Sequence, residues 1–266
     1  MTRLSRPWLA VALWIVAPAV AAAQQPTPHV GRPPEGPGFL TSGRFHLGVE
    51  ALANSDVRYD WDADIGGEID VVDYGAGRLN VSFNYETVMG GVLQPFDPIF
   101  NNYLIDVLAT ARLSGVEIGA KFEHVSRHLG DRAKDYGIAW NSLGAEAIWR
   151  GGEGRLAWQA RARALAMVYR GSVDYTAEYG ADLAWRYAWR PRAAVIGSGM
   201  VRVLGIDDEL SDRDAPVGAR AEAGVQFPGK YAALELFVAV ERRIDPDPLA
   251  PRAETWAVAG FRVVNR

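Results

Sequence analysis

Two histidines and one serine occupy alternate positions in one short stretch of the chain: His124, Ser126 and His128. A serine hydroxyl beside an imidazole is the pair that many hydrolases use, because the imidazole takes the hydroxyl proton as the oxygen attacks an ester carbonyl. On a β-strand, residues two apart share a face at a spacing of about 6.5–7 Å, which an imidazole ring is long enough to bridge. The pattern predicts a serine-type acyl hydrolase with Ser126 as nucleophile, His124 as base and His128 as the rival base.

The segment that carries these residues alternates in polarity. Val116, Ile118, Ala120 and Phe122 fall on one face, whereas the residues between them are mostly charged. Because a strand has a period of two, the three polar residues from 124 to 128 continue the apolar face. In a water-soluble protein this face lies in the core; in a membrane barrel it faces lipid.

A further polar residue falls on the same face of the neighbouring strand. A hairpin centred near residue 133 places Ser126 across from residues 138–141, and Asn141 shares its face with apolar residues such as Leu143. Asn141 is therefore predicted to orient the imidazole of His124. The preceding hairpin places Tyr103 beside Ser126. Backbone amides near residues 129 and 130 are the expected donors to the oxyanion.

The rest of the chain predicts an all-β fold, a transmembrane antiparallel up-and-down barrel of about twelve strands within residues 44–266. Alternating segments occur at 44–53, 57–72, 77–89, 102–113, 116–128, 138–150, 154–169, 174–190, 193–205, 217–227, 231–243 and 254–264. Short turns alternate with longer loops, which is typical of outer-membrane barrels with both termini in the periplasm. The alternative is a soluble β-sandwich or lipocalin-like barrel, in which the apolar face points inward.

The N-terminal composition predicts export. Residues 1–23 have a basic start, an apolar stretch and small residues before Gln24, as in a secretory signal peptide, and residues 24–43 form a lead-in rich in proline and glycine. The chain has no cysteine and a formal net charge of −4, which argues against nucleic acid as a partner. We expect it in the outer membrane of a Gram-negative-type bacterium, in contact with outer-membrane lipid and the barrel-assembly machinery.

The face opposite the apolar one carries many charges. Acids predominate in the early strands and arginines in the later ones, so ion pairs are expected to close the lumen; a small water-filled channel is the alternative. Arg161, Arg163 and Arg186 are predicted to pair with acids of the first five strands. Asp60, Asp62 and Asp64 form a ladder on a strand rather than a calcium loop. No metal and no cofactor are therefore expected.

His124 and Ser126 form a His-x-Ser motif that resembles those of outer-membrane phospholipase A, a twelve-stranded barrel, and of the lipid A deacylase. The resemblance implies that Ser126 is the nucleophile, His124 the base and Asn141 the third residue, which is Asn in the phospholipase and Glu in the deacylase. Both families continue with Asn after the Ser, whereas this chain has Arg127. The longer string from 124 to 131, His-x-Ser-x-His-Leu-Gly-Asp, resembles an outer-membrane barrel family called domain of unknown function 1207. This second resemblance does not point to any particular activity.

Two functions follow from these patterns. The first is an esterase that acts on the acyl chains of outer-membrane phospholipid or lipid A through Ser126. The second is a non-catalytic barrel, either a narrow channel or a structural or surface-interaction protein. In that case the histidines and the serine are a polar rim at the depth of the lipid headgroups.

Overall fold

The computed structural model describes residues 28–30, 36–130, 132–133, 135–211 and 213–265. These residues form twelve antiparallel strands, each paired with its neighbours in sequence, and the last strand pairs with the first to close a barrel. The strands are β1 (Gly38–Ala53), β2 (Trp61–Asp73), β3 (Arg78–Gly90), β4 (Asp97–Leu113), β5 (Val116–Leu129), β6 (Ile138–Glu153), β7 (Leu156–Gly171), β8 (Tyr175–Arg190), β9 (Ala193–Ile206), β10 (Val217–Pro228), β11 (Ala232–Ile244) and β12 (Ala253–Asn265).

The predicted barrel of twelve strands is confirmed, and the starts of β1, β2 and β4 differ from the prediction by about four residues or more. β1 begins at Gly38 rather than at 44, because residues 38–43 pair with the end of β2 although their composition is that of a lead-in. β4 begins at Asp97 rather than at 102 and includes Pro98, which sits at an irregularity in the pairing with β3. A proline is tolerated there because the regular ladder is interrupted. β2 begins at Trp61, later than the predicted 57.

The apolar face of the strands points outward. Leu234 and Leu236 on β11 are 40% and 44% exposed, whereas Glu235 between them is 5% exposed. The same alternation holds on β3, where Phe83 is exposed and Asn84 is buried. This arrangement suits a surrounding of lipid and excludes the soluble sandwich or lipocalin-like alternative, which needs the apolar face inside. Among the described residues, no helix is long and apolar enough to cross a membrane.

The lumen contains a network of ion pairs. The Arg220 guanidinium contacts Glu50 of β1 at 2.7 Å, Glu241 at 2.8 Å and Glu222 at 3.0 Å. Arg243 contacts Asp62 of β2 at 2.6 Å. For these two arginines, the expected pairing of late-strand bases with early-strand acids is present. Buried charges need such partners, because an unpaired charge there loses its hydration without compensation.

The partners predicted for three other arginines were wrong. Arg161 lies 2.9 Å from Asp182 and Arg163 lies 2.8 Å from Glu178, and both acids belong to β8 rather than to the first five strands. Arg186 donates instead to the amide oxygen of Gln226 at 2.6 Å. Proximity explains the difference for Arg161, because Asp182 is its direct cross-strand partner on the adjacent strand and the early acids lie across the lumen.

Two of the three aspartates of the predicted ladder lie on β2, and Asp60 precedes the strand. Asp62 pairs with an arginine, as expected, whereas Asp64 lies 2.6 Å from Nε2 of His46. In the described part of the chain, no group of three or more histidine or acidic side chains is arranged to hold a metal ion.

The connections differ at the two ends of the barrel. The connections β5–β6, β9–β10 and β11–β12 are long and lie at one end, called the loop end below, and residues 114–115, 154–155 and 191–192 form tight turns at the other. The loop 245–252 folds into the mouth at the loop end, where Arg127 donates to the carbonyl oxygens of Asp245 and Pro246 at 2.6 and 3.1 Å. Arg127 lies between Ser126 and His128 in sequence, so the lumen side of this stretch is anchored to a loop.

Candidate functional site

The strand β5 divides its side chains between lumen and lipid. Val125 and Arg127 are buried inside the barrel, His124 and Ser126 are half-buried on the outer face, and His128 is exposed there. The three polar residues lie near the loop end, because β5 ends at Leu129. They therefore lie on the surface that faces lipid, close to the level at which strands leave the bilayer.

His124 and Asn141 form the first pair of the site. They are direct cross-strand partners of β5 and β6, and His124 Nδ1 lies 2.6 Å from Asn141 Oδ1. The register between β6 and β7 shifts directly after Asn141. Such bulges re-aim side chains and are common beside functional sites. With the amide oxygen as acceptor, Nδ1 carries the proton and Nε2 keeps its lone pair.

Ser126 and His128 form the second pair. The Ser126 hydroxyl lies 2.9 Å from His128 Nε2, and it donates to that nitrogen when the nitrogen carries no proton. The predicted residues are thus brought together in two pairs, with the serine hydroxyl turned toward the loop end and the oriented imidazole on its other side. A serine hydroxyl and an imidazole nitrogen are within hydrogen-bond reach, which is the geometric requirement for activating a serine.

Three further residues surround Ser126 and His128 on the outer face. Tyr103 is the cross-strand partner of Ser126, and its ring packs edge-to-face on His128 at 5.3 Å and against Tyr85 at 4.9 Å. The Tyr85 hydroxyl donates to Asn101 Oδ1 at 2.9 Å. The hairpin register of the sequence predicts Tyr103 beside Ser126, whereas Tyr85 and Asn101 were not predicted as site residues. The alternating pattern could have identified them, since both occupy the alternate positions of β3 and β4 whose side chains face lipid.

The predicted oxyanion donors are not both available. The Gly130 amide donates to the carbonyl of Ile99 at 2.9 Å, which extends the β4–β5 ladder by one residue. An amide engaged in the ladder is directed along the sheet and away from the lipid-facing surface. Asp131, the last residue of the motif, lies outside the described residues.

The fold has counterparts among solved outer-membrane proteins. Outer membrane phospholipase A from Escherichia coli is 11% identical and aligns over 86% of this chain and 98% of its own, with a TM-score of 0.53. The outer membrane phospholipase of Salmonella typhi, solved as a dimer with bound calcium, is 10% identical over 88% and 93%, with a TM-score of 0.52. The KdgM porin aligns over 84% and 98% at 8% identity, with a TM-score of 0.45.

No protein-family model and no curated protein sequence matches the chain. The resemblance to domain of unknown function 1207 therefore rests on the motif residues alone. At these identities the structural likeness shows the fold, and the fold is that of outer-membrane β-barrels of Gram-negative bacteria.

Proposed function

We propose that the protein is an acyl hydrolase of outer-membrane lipid, with Ser126 as its nucleophile. The observation that carries this proposal is the position of Ser126 on the lipid-facing surface between two imidazoles, one of which is oriented by Asn141. Packing does not require such a group, because lipid-facing positions elsewhere on β5 are Ile118, Ala120 and Phe122.

His124 is the proposed base, since a base needs a fixed tautomer and Asn141 supplies the acceptor that fixes it. Rotation of the Ser126 side chain about its Cα–Cβ bond turns the hydroxyl from His128 toward His124 Nε2. The oxygen then attacks the ester carbonyl, and its proton passes to His124. Collapse of the tetrahedral intermediate breaks the ester bond, and His124 gives the proton to the departing alcohol.

The second half of the reaction restores the serine. Water attacks the acyl-serine carbonyl while His124 accepts its proton, and collapse returns that proton to the Ser126 oxygen and releases a fatty acid. The substrate reaches the site sideways from the bilayer, so the ion pairs in the lumen do not hinder it. Phospholipid and lipid A are the candidate esters, and the neighbours of similar fold include proteins named as phospholipases.

The proposal includes a topology. The long loops face the cell exterior, both termini face the periplasm, and residues 1–23 are a signal peptide that is removed on export. The predicted signal peptide lies outside the described residues. Assembly by the barrel-assembly machinery follows from this route.

The second candidate function is a non-catalytic barrel. It is favoured by the ion-pair network of the lumen, which is compatible with a structural role, and by the position of the site near the loop end. On this view Ser126, His124 and His128 form a polar rim among lipid headgroups.

The experiment that separates the two functions is fatty-acid release from mixed micelles. Purified barrel is incubated with phospholipid and, separately, with lipid A, and the wild type is compared with Ser126→Ala. Ser114→Ala, in the β4–β5 turn at the opposite end of the barrel, is the matched control. Release by the wild type and the control but not by Ser126→Ala supports the hydrolase. Absence of release from both lipids, or equal release by all three proteins, supports the non-catalytic barrel.

A further inference from the structure

Asn101 is a polar side chain on the lipid-facing surface that the reaction described above does not use. It lies half-buried on β4, directly across from His128 of β5 and one lipid-facing position away from Tyr103, the partner of Ser126. An amide at this position is unusual, because the other lipid-facing residues of β4 toward the short turns are Ile105, Val107, Ala109 and Ala111.

The orientation of the Asn101 amide is set by Tyr85. β4 lies between β3 and β5 in the barrel. The Tyr85 hydroxyl approaches from β3 and donates to Asn101 Oδ1 at 2.9 Å. A carboxamide is planar and its NH₂ group lies opposite its oxygen, so an amide whose oxygen is held from the β3 side presents its two N–H donors toward β5. That is the strand of Ser126.

Aromatic packing limits the movement of this amide. Tyr103 lies between Tyr85 and His128, with ring-centroid distances of 4.9 and 5.3 Å. Tyr103 and Tyr85 lie level with Ser126 on β4 and β3, and His128 lies two residues toward the loop end on β5, so the rings flank Ser126 on its β4 side and on its loop-end side. The oriented base, His124, lies on the opposite side of the serine, two residues toward the short turns.

We infer that Asn101 donates a hydrogen bond from Nδ2 to the oxyanion formed when Ser126 attacks a carboxylic ester, and that Tyr85 is the positioning residue that aims this donor. The inference rests on the proposed hydrolase function and extends it to the substrate class. A preorganised donor placed opposite the base stabilises the negative carbonyl oxygen of a tetrahedral intermediate. Asn101 thereby takes the role of oxyanion donor that the sequence predicted for the Gly130 amide, which donates instead to the Ile99 carbonyl in the β4–β5 ladder.

The chemistry balances with no additional reactant. The Ser126 oxygen forms a bond to the carbonyl carbon, and the carbonyl π pair becomes the oxyanion that Asn101 holds. The hydroxyl proton resides on His124 until the alcohol leaves. The donor itself neither gains nor loses a proton, so its removal is expected to lower kcat without altering the protonation steps.

The test compares kcat and KM for micellar phospholipid among the wild type, Asn101→Leu and Tyr85→Phe. Asn101→Leu keeps the volume and removes the donor, and kcat is expected to fall about 100- to 1000-fold with KM unchanged within about twofold. Tyr85→Phe removes one oxygen atom and is expected to lower kcat about tenfold by releasing the amide. Tyr179→Phe, on the lipid-facing surface of β8 and 56% exposed, is the matched control and should retain wild-type kinetics.

The possible failures are distinguishable. A wild type that hydrolyses ester while Asn101→Leu and Tyr85→Phe both keep its kcat overturns the role of Asn101 and leaves the hydrolase intact. A wild type that releases no fatty acid overturns the proposed function and this inference with it. If Asn101→Leu does not fold, as judged by its thermal unfolding, Tyr85→Phe decides alone: unchanged kcat overturns the inference and a selective loss of kcat supports it.

Discussion

His124 and Asn141 are direct cross-strand partners on the lipid-facing surface, and a hydrogen bond of 2.6 Å joins Nδ1 of the imidazole to Oδ1 of the amide. The bond fixes which nitrogen carries the proton, and it leaves Nε2 as the acceptor that the proposed reaction requires for the Ser126 hydroxyl. A histidine that only tolerates the headgroup region does not need this constraint, whereas a general base does.

Replacement of Asn141 tests the value of that bond. Asn141→Ala is expected to lower kcat roughly 10- to 100-fold, because the imidazole loses the acceptor that fixes its tautomer and orientation. Asn141→Asp keeps an acceptor at the same position and is expected to restore most of the activity. The measurement is the initial rate of fatty-acid release at saturating micellar substrate. Equal rates in Asn141→Ala and wild type would contradict an orienting role.

Single replacements of the two histidines identify the base. His124→Ala is expected to lower kcat about 10²- to 10⁴-fold, the usual contribution of general acid–base catalysis. His128→Ala is expected to retain activity within about tenfold, because its contact with the Ser126 hydroxyl is broken when the serine turns to His124. Both rates are measured on the same micelles. The opposite ranking would assign the base to His128 and remove the rotation of Ser126 from the mechanism.

The fold was predictable from the sequence because period-two alternation persists through nearly every strand. The same period placed Asn141 on the face of His124, and the hairpin register brought the two together. The pattern could not predict side-chain rotamers, nor which side chains of neighbouring strands form ion pairs. The hydroxyl of Ser126 has an imidazole two residues away on either side, and only the structure places it at His128. The ion-pair partners of Arg161 and Arg163 lie on β8 because a neighbouring strand is closer than the far wall.

Asn101 and Tyr85 show a second limit of the sequence. Their interaction joins residues 16 positions apart through a hydroxyl and an amide, neither of which carries a charge or belongs to a motif. β1 shows a third limit. Residues 38–43 were assigned to the lead-in because the segment 24–43 is rich in glycine and proline, but they form a strand because they pair with β2.

The buried charges of the lumen predict a stability effect. Arg220→Ala leaves the carboxylates of Glu50, Glu222 and Glu241 without their shared partner, and it is expected to lower the free energy of unfolding by about 3–5 kcal/mol. Urea unfolding in lipid vesicles, followed by tryptophan fluorescence, measures the change. Arg155→Ala, at an exposed position in the β6–β7 turn, is the control, with an expected change within about 0.5 kcal/mol. Similar values for the two variants would contradict the proposed contribution of the lumen ion pairs.

The proposed topology predicts which segments are accessible from outside the cell. A protease site inserted in the loop 207–216 should be cleaved when intact cells are treated with protease. A site added after residue 266 should be cleaved only after the outer membrane is opened. Immunoblotting of the fragments reads both results. Cleavage of the C-terminal site in intact cells would reverse the orientation and place the candidate site at the periplasmic level.

The most direct test of the account is covalent labelling of the serine itself. An alkyl sulfonyl fluoride in mixed micelles reacts with a serine whose hydroxyl is activated by a base, and mass spectrometry of the digested barrel locates the adduct. We expect the adduct on Ser126 in the wild type, and we expect it to be lost in His124→Ala although Ser126 is still present. No adduct on Ser126, or equal labelling of Ser126 and of serines far from the histidines such as Ser114, would contradict the claim that this lipid-facing serine is a nucleophile.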